Sequence, residues 1–415
     1  MNTRAALRID GTRLWDSLMA LAQIGATEKG GVRRLALTDL DREGRVLVCG
    51  WFRDAGLAVT VDRIGNVFAR RPGRMPDRPP VMAGSHIDTQ PSGGKFDGNY
   101  GVLAALEVVR TLNDHGVETE SPIEVAVWTN EEGTRFQPVM MGSGVFAGEF
   151  DLVEMLKRAD LDGKTVGGEL RRIGYAGTAE CGNRPVGAYF EAHIEQGPVL
   201  EDTQRQIGVV TGVMGLRWFQ VTITGQDAHA GPTPMHLRRD ALVASARIVD
   251  GLNALATKRA PHARATVGFL HVKPNSINVV PGEVRFSVDM RHATSEGLDA
   301  LEAEWRALCD TVTRATGTAC AIAQISRFEP TRFDGGLVSA IRDATAALGY
   351  GHMDIVSGAG HDAVYLARVA PTAMIFVPCE GGISHNEIEN ARPEDLEAGG
   401  NVLLHAMLAG AGTSV

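Results

Sequence analysis

A layered α/β domain interrupted by a smaller α+β domain is the architecture that this 415-residue sequence predicts. Three observations predict it. Over the first two hundred residues or so, helical and strand patterns alternate, as they do in layered α/β domains. From about Gly212 the order becomes strand, helix, strand, strand, helix, with ACAIAQISR as a closing strand, which is the split βαβ pattern of a compact unit. After about residue 327 the α/β texture returns. The domains are therefore assigned as 1–211 with 327–415, and 212–326 inserted between them.

The elements follow in order. The N-terminal MNTRAALRIDGTRLWDSLMALAQIG carries Arg4, Arg8, Asp10, Arg13 and Asp16, so it reads as an amphipathic helix and not as an apolar leader. A helix over about 40–55, LDREGRVLVCGWFRDAG, leads into AVTVDRIGNVFAR; the Pro/Arg-rich turn RRPGRMPDRPP then precedes the strand VMAGSHIDT. Gly101 to Leu112 repeats its apolar residues every 3.6 positions, and IEVAVWTN alternates Ile123, Val125 and Val127. Both strands end in polar residues, and open α/β sheets bind ligands at the carboxyl ends of their strands. In the insert, LRWFQVTITGQ reads as a strand, ALVASARIVDGLNALAT as a helix, RATVGFLHV and EVRFSVDMR as two strands, and GLDALEAEWRALCDTVTRATG as a helix. TAMIFVP is a buried-looking strand ahead of CEGGISHNE, and LEAGGNVLLHAMLAG closes the chain as a helix.

Composition excludes several classes. A hydrophobic fraction of 44% and a charged fraction of 22% are those of an ordinary globular chain. The net charge of −9, with Lys and Arg scattered singly, offers no basic stripe for phosphates, so no nucleic-acid partner is expected. No apolar run reaches the ~18 residues of a membrane span. The five cysteines, Cys49, Cys181, Cys309, Cys320 and Cys379, are odd in number and far apart. They read as free thiols in a reducing cytoplasm, not as a disulfide framework or a thiolate metal knot.

Three clusters carry the chemistry. In GSHIDT, His86 and Asp88 share one side of a strand, so Asp88 is placed to accept the imidazole N–H of a metal-bound His86 from behind. A strand-end histidine capped by a carboxylate accounts for that segment equally well. Asp97, in GGKFDG, lies in a glycine-rich turn before a helix, where a carboxylate sits near helix N–H groups and still reaches a metal. Glu131 and Glu132 adjoin at a strand end; two buried carboxylates there repel and are costly to desolvate unless a cation joins them. With a metal, one ligates and the other takes a proton from water; a solvated acidic turn is the plain alternative. His193 in EAHIEQG and His385 in SHNE complete the set, though single histidines in such places are more often satisfied polar residues. Together His86, Asp97, Glu132, His193 and His385 are N/O ligands without thiolates, which suits zinc, manganese or cobalt. Five ligands with one bridging carboxylate suit two metals about 3.5 to 4 Å apart that share a hydroxide.

The order GSHIDT, GGKFDG, NEEG, HIEQG, GQDAHAG, NSINVVPG, DMRH, SGAGHDA and SHNE resembles the zinc-dependent amidohydrolases of the hydantoinase/carbamoylase family. These are N-carbamoyl-L-amino-acid hydrolases, β-ureidopropionases and allantoate amidohydrolases, related to dinuclear aminoacylases and glutamate carboxypeptidases. The resemblance covers about residues 10 to 410 and is much more specific for the family than for the substrate. It implies a zinc-peptidase-like catalytic domain and a ferredoxin-like insert that serves as lid and dimerisation domain of a homodimer. Two divalent ions per subunit are implied, zinc or else manganese or cobalt. Asp97 would bridge them, His86 and His193 completing one site, Glu132 and His385 the other. Glu131 would be the general base, and Asp97–Gly98 a candidate for a cis peptide. His229 resembles the histidine that binds the scissile carbonyl and then the oxyanion, in its own or a neighbouring subunit's site, or after hinge closure. Asn278 and Arg291 resemble the pair that holds the substrate carboxylate. Gln196 and backbone N–H groups around Gly360 would complete the pocket, with His361 and Asp362 supporting it.

The expected activity is cleavage of the ureido C–N bond of an N-carbamoyl-L-amino acid or N-carbamoyl-β-alanine to amino acid, CO2 and NH3, by a hydroxide bridging the metals. Hydrolysis of allantoate, or of an N-acyl amino acid or peptide, is the nearest rival, and an inactive small-molecule-binding homologue is the rival from another class. The partner is a small carboxylate substrate.

Overall fold

Residues 7–412 are described by a computed structural model. Gly212–Thr331 forms one unit, and the flanking chain, up to Thr211 and from Arg332, forms the other. Arg4, and with it the start of the expected N-terminal helix, lies outside the described residues; within them α1 spans Gly11–Ala22, started by Asp10, which accepts the Arg13 N–H.

In the outer unit the strands before the insert are β1 (Ala58–Val61), β2 (Val67–Arg71), β3 (Val81–His86), β4 (Ile123–Trp128), β5 (Ala188–Ile194) and β6 (Ile207–Val213). The insert carries β7 (Gly215–Thr224), β8 (Ala228–His229), β9 (Ala263–Thr266), β10 (Leu270–Lys273), β11 (Val279–Val280), β12 (Glu283–His292) and β13 (Ala319–Phe328). Then come β14 (Thr331–Arg332), β15 (His352–Ser357) and β16 (Thr372–Val377). The principal helices after α1 are α2 (Asp39–Asp54), α3 (Asn99–Asp114), α4 (Ala241–Thr257), α5 (Ser295–Thr316), α6 (Gly335–Leu348) and α7 (Pro393–Ala411).

The large sheet runs β1-β2-β4-β3-β5-β16-β6-β14, with β15 beside β6. Its centre, β4-β3-β5-β16, is parallel. Every residue of those four strands is buried, as expected for parallel strands covered on both faces. Helix α3 packs on β3, β5 and α7 and is itself buried for most of its length. Its approach depends on Gly101, where a Cβ would lie 2.5 Å from the Ala192 carbonyl oxygen. The result is a rigid frame whose parallel strands all release their chains at one edge, where ligands bind in such sheets.

The insert has the sheet order β10-β12-β7-β13, with β9 also on β12, and the pairs are antiparallel. Helices α4 and α5 cover one face, closing a core of Phe219, Val221, Ile223, Phe286, Val288, Met290 and Trp305 among others. This is the expected α+β arrangement. Two details differ from the sequence reading. RATVGFLHV is not one strand but two, β9 and β10, because Phe269 leaves the ladder to exchange bonds with the Ser287 side chain and backbone. The closing strand also continues past 326, since Phe328 still pairs with Leu216.

Candidate metal centre and active site

Four parallel strands and one helix start deliver the groups. His86 is the last residue of β3 and His193 the penultimate residue of β5. Glu131 and Glu132 follow β4, Asp97 precedes α3, and His385 lies in the loop after β16. Among the described residues, two sets place their ligand atoms within 4.8 Å of one another: His86, Asp97 and His193, and Asp97, Glu132 and His385. Asp97 belongs to both. Its Oδ1 lies 3.2 Å from His193 Nε2 and 3.5 Å from His86 Nε2, and its Oδ2 lies 3.2 Å from His385 Nε2. His385 Nε2 is also 3.4 Å from Glu132 Oε2, and His86 Nε2 is 3.6 Å from Glu131 Oε2.

Backbone geometry aims these groups. The His86 and His193 Nδ1 atoms sit 2.9 Å from the carbonyls of Asp88 and Ile194. A proton on each Nδ1 leaves the Nε2 lone pairs directed at Asp97. Gly98 turns the chain into α3 at φ 67°, and a Cβ there would stand 2.4 Å from the His86 ring. Asn130 (φ 54°), Gln196 (φ 57°) and His385 (φ 53°) all take the left-handed conformation, a strain that surrounding contacts must hold.

Two expectations need correction. Asp88 does not accept the His86 N–H through its carboxylate, which is 3.9 Å away. The strand ends at His86, so the alternation that would align the two side chains stops there; the carboxylate accepts the Glu131 and Glu132 backbone N–H groups at 3.3 Å and the carbonyl serves His86 instead. The Asp97–Gly98 peptide is trans; the cis bonds among the described residues precede Pro138, Pro261 and Pro274.

The electrostatics are those of a site built for cations. Among the described residues, the paired cations of Asp97, Glu131 and Glu132 are imidazoles only. Burial, with Asp362 and Glu132 nearby, holds the Glu131 carboxyl well above its usual range. Burial and Asp97 push Glu132 up to about 7. Asp97 goes the other way despite its burial, because three imidazoles bond its charged form. Its bond to Asp97 raises His385 to about 9. Buried carboxylates facing two buried imidazoles and the exposed His385 at these distances form an N/O donor set of the kind that suits a divalent metal ion. The donor set and the shared Asp97 thus fit divalent metal.

Other expected residues fall as follows. Gln196 donates to Asp97 Oδ2 at 2.9 Å and to Ser384 at 3.2 Å, so its amide holds the centre itself. Gly360 is exposed, one residue before buried His361, whose ring lies 4.6 Å from the His193 ring, tilted by 59°. Asp362 is buried and bonds the Ser143 hydroxyl; Glu191 beside it bonds Ser85 and the Ala363 N–H. In the insert, the β8–β11 ladder pairs His229 with Val279, next to Asn278, and both His229 and Asn278 are exposed. The Gly231 N–H donates to His229 Nδ1 at 3.1 Å, which puts the ring proton on Nε2. Arg291, on β12, pairs with Asp289 at 2.8 Å.

Sequence reasoning missed two residues. Glu389 accepts the Phe96 and Asp97 N–H groups on Oε1 and the Ser384 hydroxyl on Oε2, tying the Asp97 turn to the His385 loop. Arg34, fully buried, donates to the carbonyls of Leu21, Ile24 and Ile87 and to Asn99 Oδ1. Neither sits in a motif; only burial marks them.

A parallel α/β frame carrying such a centre is that of a metal-dependent hydrolase. The model of peptidase family M20/M25/M40 matches residues 82–409, and the chain belongs to that family. It is 50% identical over 401 residues, covering 97% of this chain and 96% of the other, to an N-carbamoyl-L-amino-acid amidohydrolase of Rhizobium meliloti. An allantoate amidohydrolase of Bacillus subtilis is 35% identical, covering 92% and 94%. The crystal structure of a hydantoinase/carbamoylase family amidase from Burkholderia multivorans superposes with a TM-score of 0.96 at 58% identity, over 99% of this chain and 100% of that one. Within its family, this chain is a hydantoinase/carbamoylase amidase, a hydrolase of C–N bonds.

Proposed function

We propose that the protein hydrolyses N-carbamoyl-L-amino acids, R–NH–CO–NH2 and water giving amino acid, CO2 and NH3. The observation that carries this reading is the 50% identity to a relative of that name, against 35% to an allantoate amidohydrolase. N-carbamoyl-β-alanine, with the same ureido and carboxylate groups, belongs to the same substrate class.

Two divalent ions per chain, zinc, manganese or cobalt, would be held by His86, Asp97 and His193 and by Asp97, Glu132 and His385, with Asp97 common to both. When bound, they supply Lewis acidity to the ureido carbonyl and to water. Glu131 takes the proton from the attacking water and passes it to the leaving nitrogen. His229, with its proton on Nε2, donates to the carbonyl oxygen as negative charge develops there. Arg291 and Asn278 hold the substrate carboxylate. Glu389, Gln196, Asp88 and Asp362 keep the ligands in place, and the backbone at Gly360 borders the substrate.

The reading extends to a cytoplasmic homodimer, joined through the insert. Strand β13 ends the sheet order of that unit, and Arg327 is the one charged residue in its ACAIAQISRF; such an edge is open to a second strand. The five free thiols suit a reducing compartment.

The test is a substrate panel with metal-replete protein: N-carbamoyl-L-amino acids, N-carbamoyl-β-alanine and allantoate, read by ammonia release. Turnover of the carbamoyl amino acids is expected, and ammonia from allantoate alone would overturn the assignment.

A further inference from the structure

Arg291 does not stand alone on β12. Asp289 lies two residues before it and so on the same face. Val288 and Met290 point into the core of the insert, which puts Asp289 and Arg291 on the face away from that core. Arg291 Nε donates to both Asp289 oxygens at 3.2 Å, and Nη2 donates to Oδ2 at 2.8 Å. Nε and Nη2 form one edge of the planar guanidinium, so this contact sets the plane of the group as well as its position. A second guanidinium is close by: the β9 register puts Arg264 opposite Arg291 and Thr266 opposite Asp289. Arg264 spends Nη1 on the carbonyls of Pro261 and Ala263.

We propose that Asp289 is the positioning residue that turns Arg291 into a receptor for a carboxylate. A free arginine side chain has high rotamer entropy, which a ligand must remove in order to use it. Asp289 removes it before the ligand arrives, and a substrate carboxylate meets a guanidinium plane already set. The protein thereby prefers an N-carbamoyl amino acid to its uncharged carboxamide. This inference rests on the reading of Arg291 as the carboxylate-holding residue. The opposite role, a competitor that occupies Arg291 and weakens substrate binding, predicts the opposite sign.

The experiment measures kcat and KM for metal-loaded wild type, Asp289→Asn, Asp289→Glu and Arg291→Lys, on an N-carbamoyl-L-amino acid and on the matching carboxamide. Asp289→Asn is expected to raise KM for the acid about fivefold, with kcat held within about twofold, and to narrow the acid-to-amide preference by the same factor. Asp289→Glu, which keeps the charge, recovers part of the loss and remains informative if the Asn variant fails to fold. An unchanged or lowered KM for the acid, or an equal loss on acid and amide, overturns the proposal. Arg291→Lys separates the two layers of argument. If it leaves KM for the acid unchanged, the reading of Arg291 itself fails. If it raises KM while both Asp289 variants behave as wild type, only the role of Asp289 falls.

Discussion

Glu131 and Glu132 are neighbours in sequence with different surroundings. Glu132 Oε2 faces His385 and takes a bond from Gln90, whereas Glu131 faces His86 and lies close to the buried Asp362. That asymmetry is why one reads as ligand and the other as proton carrier. Glu131→Gln keeps size and removes the base: turnover is expected to fall about 100-fold or more, with metal content per chain equal to that of wild type. Turnover within a few-fold of wild type would place the base elsewhere. At this scale the sequence was most legible where a motif held both a ligand and the glycine it needs, as with Asp97 and Gly98. It was least legible for Glu389, whose partners Phe96 and Asp97 are almost three hundred residues away. Asp88 shows a subtler limit: its proximity to His86 was readable, but which of its oxygens does the work depends on where the strand stops.

Elements are held to one another by buried polar groups as well as by apolar packing. Arg34 joins the end of α1, the turn after β3 and the start of α3, and no carboxylate pairs with it among the described residues. Burial lowers its pKa to about 10, still far above neutrality, so the group stays charged. Arg34→Met would take the donor from the buried Ile87 carbonyl and Asn99 Oδ1, each costing about 1–3 kcal/mol, while the Leu21 carbonyl keeps the Ile24 N–H and the Ile24 carbonyl is half-buried; relief of the buried charge offsets part of the cost. A fall in Tm of several degrees is expected, together with weaker retention of metal against a chelator; a Tm within a degree of wild type would show that the acceptors find other partners. Periodicity made the helices and most strands readable, because a period of 3.6 or 2 is a local property. The break between β9 and β10 was not, since it depends on Ser287 in another strand.

The whole molecule gathers acids where only a cation can balance them. Without metal, Glu131 and Glu132 remain protonated to higher pH than ordinary carboxyls, and Asp97 depends on the three imidazoles. Chelation is therefore expected to abolish turnover and to lower Tm, and zinc, manganese or cobalt to restore both. Metals held at about a thousand times their Kd contribute about 4 kcal/mol by mass action. An apoprotein that keeps its activity would refute the metal assignment. Light scattering that gives the mass of one chain would likewise refute the homodimer.

By itself the sequence determined the division into an α/β unit with an insert, the residues of the candidate ligand set, and the family. Those depend on residue type, local period and the order of motifs along the chain. Only the tertiary structure decided that β4, β3, β5 and β16 lie side by side, so that His86, Glu132, His193 and the His385 loop converge on Asp97. It alone revealed Arg34 and Glu389 as the ties behind them, and Asp289 as the partner of Arg291. Strand order and the direction of a buried side chain are set by contacts between residues far apart in the chain, and no local pattern records those.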